Sequence, residues 1–225
     1  MQGVRGTFAL LSLLFMATQA QADTIIQFPF WDDDNTTIEE SMLFESGGLS
    51  VAVTAWTASY NSEGEQLEAW QQVMGEGLGV FRDSEGLSVK SSDDDGAYMD
   101  GGSSSDYASD PDEGLLFVFS EAVTWFDVFV TDWQSNDDIN FSAVALNDDG
   151  GFSLLSSLID VPDQSGRSYG AYEFAQTFRS NAFLIWVDGN NDDIAVAGTA
   201  VIPEPATAAL ALGLVCCLFR QRKYR

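Results

Sequence analysis

The segment Leu49-Ser50-Val51-Ala52-Val53-Thr54-Ala55-Trp56-Thr57 alternates along its length. Val51, Val53 and Ala55 fall on one side, and Ser50, Ala52, Thr54 and Trp56 on the other. A period of two is the mark of a β-strand. Its β-branched and aromatic residues suit a pleated, half-buried surface. Stretches of similar composition recur at residues 24–28, 67–73, 115–119, 123–133, 140–146, 152–159, 171–178, 182–187 and 193–201. Residues 63–73 also admit a turn or two of helix.

Acidic, Gly- and Ser-rich breaks separate these stretches: Asp32 to Asn35, Asp93 to Gly96, Asn136 to Asp138, Asn147 to Gly150 and Asp188 to Asp193. Asn, Asp and Gly tolerate left-handed backbone, and Asx side chains bond their own main chain, so these are turns with a mechanism. Many short strands at near-regular spacing predict an all-β fold, an antiparallel β-sandwich of jelly-roll-like kind. Gly101 to Asp112 reads as a polar loop at one end of it.

Both ends of the chain depart from this pattern. Near the N-terminus Arg5 precedes an apolar run from Phe8 to Met16, and Ala20-Gln21-Ala22 then forms a small-x-small site before Asp23. That order predicts a secretory signal peptide over residues 1–22, cut by signal peptidase between Ala22 and Asp23. At the other end stand Pro203-Glu204-Pro205, an uncharged stretch from Ala206 to Phe219, and a tail containing Arg220, Arg222, Lys223 and Arg225. Two prolines separated by one residue keep the backbone extended. The apolar stretch is shorter than the ~20 residues that cross a relaxed bilayer as a helix. Local thinning and snorkelling of Arg220 and Arg222 accommodate a short span, and the basic cluster holds that end in the cytoplasm. The predicted organisation is a signal peptide over 1–22, a β-sandwich over 23–200, and a motif, transmembrane helix and basic tail over 201–225.

Residues 201–225 resemble the PEP-CTERM sorting domain of exported proteins in Gram-negative bacteria, with the three parts in that family's order. The resemblance implies that an exosortase, a membrane-embedded cysteine transpeptidase, reads Pro203, Glu204 and Pro205, removes the tail and passes the protein to the surface. These residues are then a substrate for another enzyme, and the inner membrane is a transient station. Cys216-Cys217 departs from the usual Leu, Ala and Gly of such tails; it is apolar filler or a lipidation site. The body resembles a domain often found ahead of this signal, through Gly77 to Val80, Tyr98 to Gly102, Asp112 to Phe119, Ala122 to Thr124 and Asn190 to Ile194. The middle block lacks that domain's usual histidine and has Gly101 where Asn would stand. No activity is implied by that likeness.

Composition excludes several functions. The chain holds 35 acidic and nine basic residues, a formal charge of −26. Every acid lies between residues 23 and 205, where the only cations are Arg82, Lys90, Arg167 and Arg179. Such a surface repels nucleic acid and anionic lipid. There is no histidine, and both cysteines are in the tail. That removes histidine-based nucleophile triads and imidazole or thiolate zinc sites. Carboxylates such as Glu63, Glu65, Glu68, Glu76 and Glu85 are available for glycosidase chemistry, but nothing in the sequence pairs them.

Two binding readings remain. Asp188, Asn190 and Asp192 place oxygen ligands at alternate positions, as at the start of an EF-hand calcium loop. The pattern then fails, because Asp193 stands where Gly is needed and Thr199 where Glu is needed. In 123–133, strict alternation puts Trp125, Phe129 and Trp133 on one face with Asp127 and Thr131, opposite Phe126, Val128 and Val130. That face is either a sugar platform or part of a strand buried on both sides. The expected function is a non-enzymatic surface or extracellular-matrix protein sorted through its C-terminal motif. The alternative is a calcium-assisted carbohydrate-binding module with a polysaccharide partner.

The acidic body repels itself, so screening should stabilise it. Raising ionic strength from 0.01 M to 1 M shortens the Debye length from about 30 Å to about 3 Å. The melting temperature, followed by circular dichroism, is expected to rise across that range.

Overall fold

The computed structural model describes residues 24–32, 35–60, 66–91, 98–100, 112–131, 139–155, 159–161, 169–187 and 193–204. In chain order the strands are β1 (Ile26–Pro29), β2 (Thr37–Glu39), β3 (Ser41–Ser46), β4 (Leu49–Tyr60), β5 (Gln66–Gln72), β6 (Gly79–Arg82) and β7 (Leu87–Lys90). They continue with β8 (Met99–Asp100), β9 (Glu113–Thr131), β10 (Ile139–Leu146), β11 (Phe152–Leu154), β12 (Ile159–Val161), β13 (Tyr169–Val187) and β14 (Asp193–Pro203). The described residues are all-β, and every strand pair is antiparallel. Residues 66–72, for which a helical turn was also open, form a strand.

The expected stretches 115–119 and 123–133 are joined in the single strand β9, and 171–178 and 182–187 in β13. β13 lies along one edge of β9 for most of its length. On the other edge β9 changes partner, pairing with β4 through Glu113–Phe119 and with β14 through Val123–Thr131. At the change Ser120 and Glu121 are exposed.

The rings show what happens there. Eight residues of straight strand would separate Phe117 and Trp125 by roughly 26 Å. Their ring centroids are 5.3 Å apart, and those of Phe119 and Trp125 5.5 Å apart. β9 therefore folds back on itself, and the two halves of the sheet face each other. Phe141 and Phe183 also meet Trp125 edge to face, and Phe28 and Phe30 close on Phe119 and Phe117. Edge-to-face contact sets the positive rim of one ring against the negative face of another.

Alternation carries the rest of the core. Val51, Val53 and Ala55 share one face as expected, and that face points inward, joined by Leu115, Phe117 and Phe119 from β9 and Phe183, Ile185 and Val187 from β13. Opposite them lie Val123, Trp125, Val128 and Val130, with Ile194, Val196 and Val201 of β14.

Short strands that the sequence reading passed over close the edges. β3 turns into β4 through Gly47-Gly48, with φ of 58° and 86° and Ser46 paired to Leu49. Two central residues at positive φ make a type I′ hairpin, the turn whose twist matches its strands. β6 and β7 form a second hairpin in which the Asp83 side chain accepts the Glu85 N–H at 2.8 Å. At 147–151, the expected acidic turn joins β10 to β11, the Asp149 carboxylate accepting from the Gly151 N–H at 3.0 Å.

Trp125 has no exposed surface and touches four aromatic rings of the layer opposite it. Trp125→Ala is expected to cost about 3–5 kcal/mol, read as a lower midpoint in a denaturant titration.

Candidate functional site

The C-terminal motif begins inside the sheet. β14 runs three residues past the boundary drawn at 200, and its last residue, Pro203, pairs with Val123. On the far edge of β14 the β1 pairing reaches only Val201. Pro203 thus stands at a strand end, where a missing N–H breaks no ladder.

Glu204, the next residue, is held three ways. Its N–H donates to the Ala122 carbonyl at 3.0 Å. Its Oε1 accepts from the Thr124 hydroxyl at 2.6 Å, and its Oε2 lies 2.9 Å from Nη2 of Arg179. Thr124 is opposite Arg179 in the β9–β13 ladder and opposite Ile202 in the β9–β14 ladder. The carboxylate therefore reaches from β14 across β9 to a cation on β13. Its side chain is 20% exposed and that of Arg179 is 57% exposed. Hydrogen bonds to an ionised carboxylate are shorter and stronger than neutral ones.

Of the remaining motif and terminal residues, Pro205, Arg220, Arg222, Lys223 and Arg225, and likewise Ala20, Ala22 and Asp23, lie outside the described residues. So do the N-terminal apolar run and the transmembrane helix expected near the C-terminus. Among the described residues no helix is long and apolar enough to cross a membrane.

Asp188, Asn190 and Asp192 also lie outside the described residues. The positions that would complete an EF-hand belong to β14. The strand starts at Asp193, and the buried Thr199 gives its hydroxyl proton to the Asp127 carbonyl at 2.8 Å. Among the described residues, no three His, Cys, Asp or Glu side chains are grouped to hold a metal ion.

On 123–133 one extra residue decides between the two readings for Trp125, which follows the buried one and not the sugar platform. Trp125 pairs with Val201 and Asp127 with Ala200, so Phe126 is a bulge. A bulge shifts the alternation by one. Trp125 consequently joins Val128 and Val130 in the core instead of sharing an outer face with Phe129. The Trp125 indole N–H bonds the Asp127 carbonyl at 3.0 Å. Trp133 lies outside the described residues.

A different aromatic group lies on the opposite face of the β4–β9–β13 layer. Trp56, Leu116, Val144, Ala182, Leu184 and Trp186 are buried there, with Trp70, Val118 and Phe152 packed against them. Trp56 meets Phe152 edge to face at 4.9 Å, and Trp70 meets Trp186 at 5.8 Å. Gly114 is the floor under two of these rings. A Cβ there would come within 2.9 Å of the Trp186 Cβ and 3.2 Å of the Trp70 ring. The signal for this group was present in the unbroken apolar runs Leu115 to Phe119 and Ala182 to Val187, which suit strands buried on both faces.

No known family model matches the sequence, and no curated protein matches it. Among solved structures, the chain is similar to the family 32 carbohydrate-binding module of EndoD from Streptococcus pneumoniae. That similarity has a TM-score of 0.24 at 10% identity, over 42% of this chain and 70% of that one.

Proposed function

We propose that the protein is an exported, non-enzymatic component of the cell surface or extracellular matrix, built as a jelly-roll-like β-sandwich. A membrane transpeptidase of the exosortase kind sorts and processes it through Pro203, Glu204 and Pro205. The observation that carries this reading is the order of the two ends. A cleavable apolar leader stands at one, and an extended Pro-Glu-Pro, an apolar stretch and a basic tail stand at the other. The strand end at Pro203 supports it, because the motif then emerges from the body at its margin.

Each part has a physical task. The leader directs export, and the apolar stretch with its cationic end lodges in the inner membrane. The prolines prevent that stretch from continuing as helix into the body. A body that carries all but one of the chain's 35 acids stays soluble and well separated from other acidic polymers once it is outside.

A second reading, carbohydrate binding assisted by calcium, has one structural feature in its favour. Trp70 and Phe152 are only half-buried at the rim of the outer aromatic group, beside the exposed Leu154. Aromatic rings at a surface rim offer the apolar area on which a sugar ring stacks.

Two experiments separate these readings. In a host that carries a matching transpeptidase, full-length protein tagged at both ends of the body should lose its tail and reach the cell surface. Pro205→Ala should leave the tail attached and the product in the inner membrane. Recovery of intact protein from the cytosol would sink the sorting reading. Retention of the purified body on immobilised polysaccharide in calcium, reversed by chelator and weakened by Trp70→Ala, would favour the second. Equal elution with and without calcium would remove it.

A further inference from the structure

We propose that the folded body is a lock on its own sorting motif: Thr124 and Arg179 hold Glu204 against the sheet, and tail removal waits for its release. The inference rests on the sorting reading above, and it concerns the control of that event.

A peptidase needs access to the chain it cuts. Its substrate enters a cleft as extended chain, giving backbone and side-chain groups to the enzyme in the manner of an added strand. At the start of this motif those groups are already engaged. Pro203 is in register with Val123, the Glu204 N–H is bonded to Ala122, and both carboxylate oxygens are occupied by Thr124 and Arg179. An enzyme that reads Glu204 competes for the same atoms. Only a state in which the strand end has lifted from β9 offers them.

The choice of partner is selective. Residues 23–205 have four cations for 35 carboxylates, Glu204 among them, and Arg179 is placed opposite Thr124 so that both meet that glutamate. Pairing with an acid chosen at random would bring no hydroxyl and no backbone bond with it. The contact is also built to open. Arg179 is more than half exposed, and pairs at that exposure are weak and screened by salt. Fraying of a strand end is a low-energy event compared with global unfolding.

Cleavage itself breaks one peptide bond. The carbonyl passes to the transpeptidase thiol and then to water or an acceptor amine, and the nitrogen takes a proton and leaves with the tail. When opening and closing are fast relative to that step, its rate follows the population of the open strand end. Removing the lock raises that population without touching the motif.

The test uses the full chain in two measurements. The first is amide exchange at Glu204, in detergent-solubilised protein, for the wild type, Arg179→Gln, Thr124→Val and the double variant. Thr124→Ser keeps the hydroxyl and serves as the conservative control. The second is the rate of tail loss in cells carrying the transpeptidase, by pulse-chase. The wild-type Glu204 amide is expected to be protected, the double variant to exchange about tenfold faster, and its tail to leave several-fold sooner. Thr124→Ser should behave as wild type, and the melting temperatures should stay close together because both changes lie outside the core. An unprotected wild-type Glu204 amide overturns the proposal. Equal tail loss from all forms, with exchange accelerated as expected, also overturns it while leaving the sorting reading intact. If no form loses its tail, the sorting reading fails and takes the control with it.

Discussion

The fold-back of β9 between Phe119 and Val123 is the constraint from which the rest of the structure follows. It turns one strand into a member of two facing layers, and so lets one tryptophan pack on residues six and eight positions before it in the same chain. The corner is cheap because Ser120 and Glu121 face solvent. The partner change from β4 to β14 leaves Ser120 to Ala122 outside both ladders, while each half of β9 finds a strand of its own. β13 follows the same path with two register shifts, at Glu173/Phe178 and Ser180/Ala182. Bulges of this kind supply the extra bend and twist that two paired strands need to turn a corner together.

Charge cannot be what holds this body together. With a formal charge of −26 over the chain, electrostatics works against compactness, and burial of Trp, Phe, Val and Leu must outweigh it. The two ion pairs between described residues lie just after β1, at Asp32, and just after β14, at Glu204. Arg82 donates from Nε to the Phe30 carbonyl and from Nη2 to the Trp31 carbonyl, pairs with Asp32 at 3.2 Å, and lies over the Phe44 ring. Arg179 does the corresponding work at Glu204. Arginine suits both places, because its planar fork satisfies several acceptors at once.

The sequence made the fold class readable because alternation survives wherever a strand is regular. Val51, Val53 and Ala55 could be assigned to the core from their spacing, and the Asn147 to Gly150 break could be assigned to a turn. What failed was the reading of strands that are not regular. A single bulge at Phe126 reversed the face assigned to Trp125, and no spacing rule marks a bulge among aromatic residues. The corner in β9 was read as a gap between two strands because Ser120 and Glu121 interrupt the apolar pattern. The β3 strand is not marked by its own residues although Gly47-Gly48 announces its hairpin, since the apolar residues of Ser41 to Ser46 are the consecutive Met42-Leu43-Phe44 and show no alternation. The contact between Arg179 and Glu204 joins residues far apart in sequence, and composition alone could single out the rare cation without giving its partner.

β14 connects core and motif in one element. Ile194, Val196 and Val201 are buried, Pro203 ends the ladder, and Glu204 is bonded to the sheet surface. On the sorting reading this has a mechanical consequence. The apolar stretch begins at Ala206, two residues beyond Glu204, and two extended residues span at most about 7 Å. While the tail is lodged, the acidic body would therefore sit within about one Debye length, near 8 Å at physiological salt, of whatever anionic headgroups the non-cytoplasmic leaflet carries. Like-charge repulsion would then pull on the strand end, in the direction that lifts Glu204 from Thr124 and Arg179. Insertion and repulsion act on opposite sides of the same short connection, and the hydrogen bonds at Glu204 decide how much of that tension reaches β14.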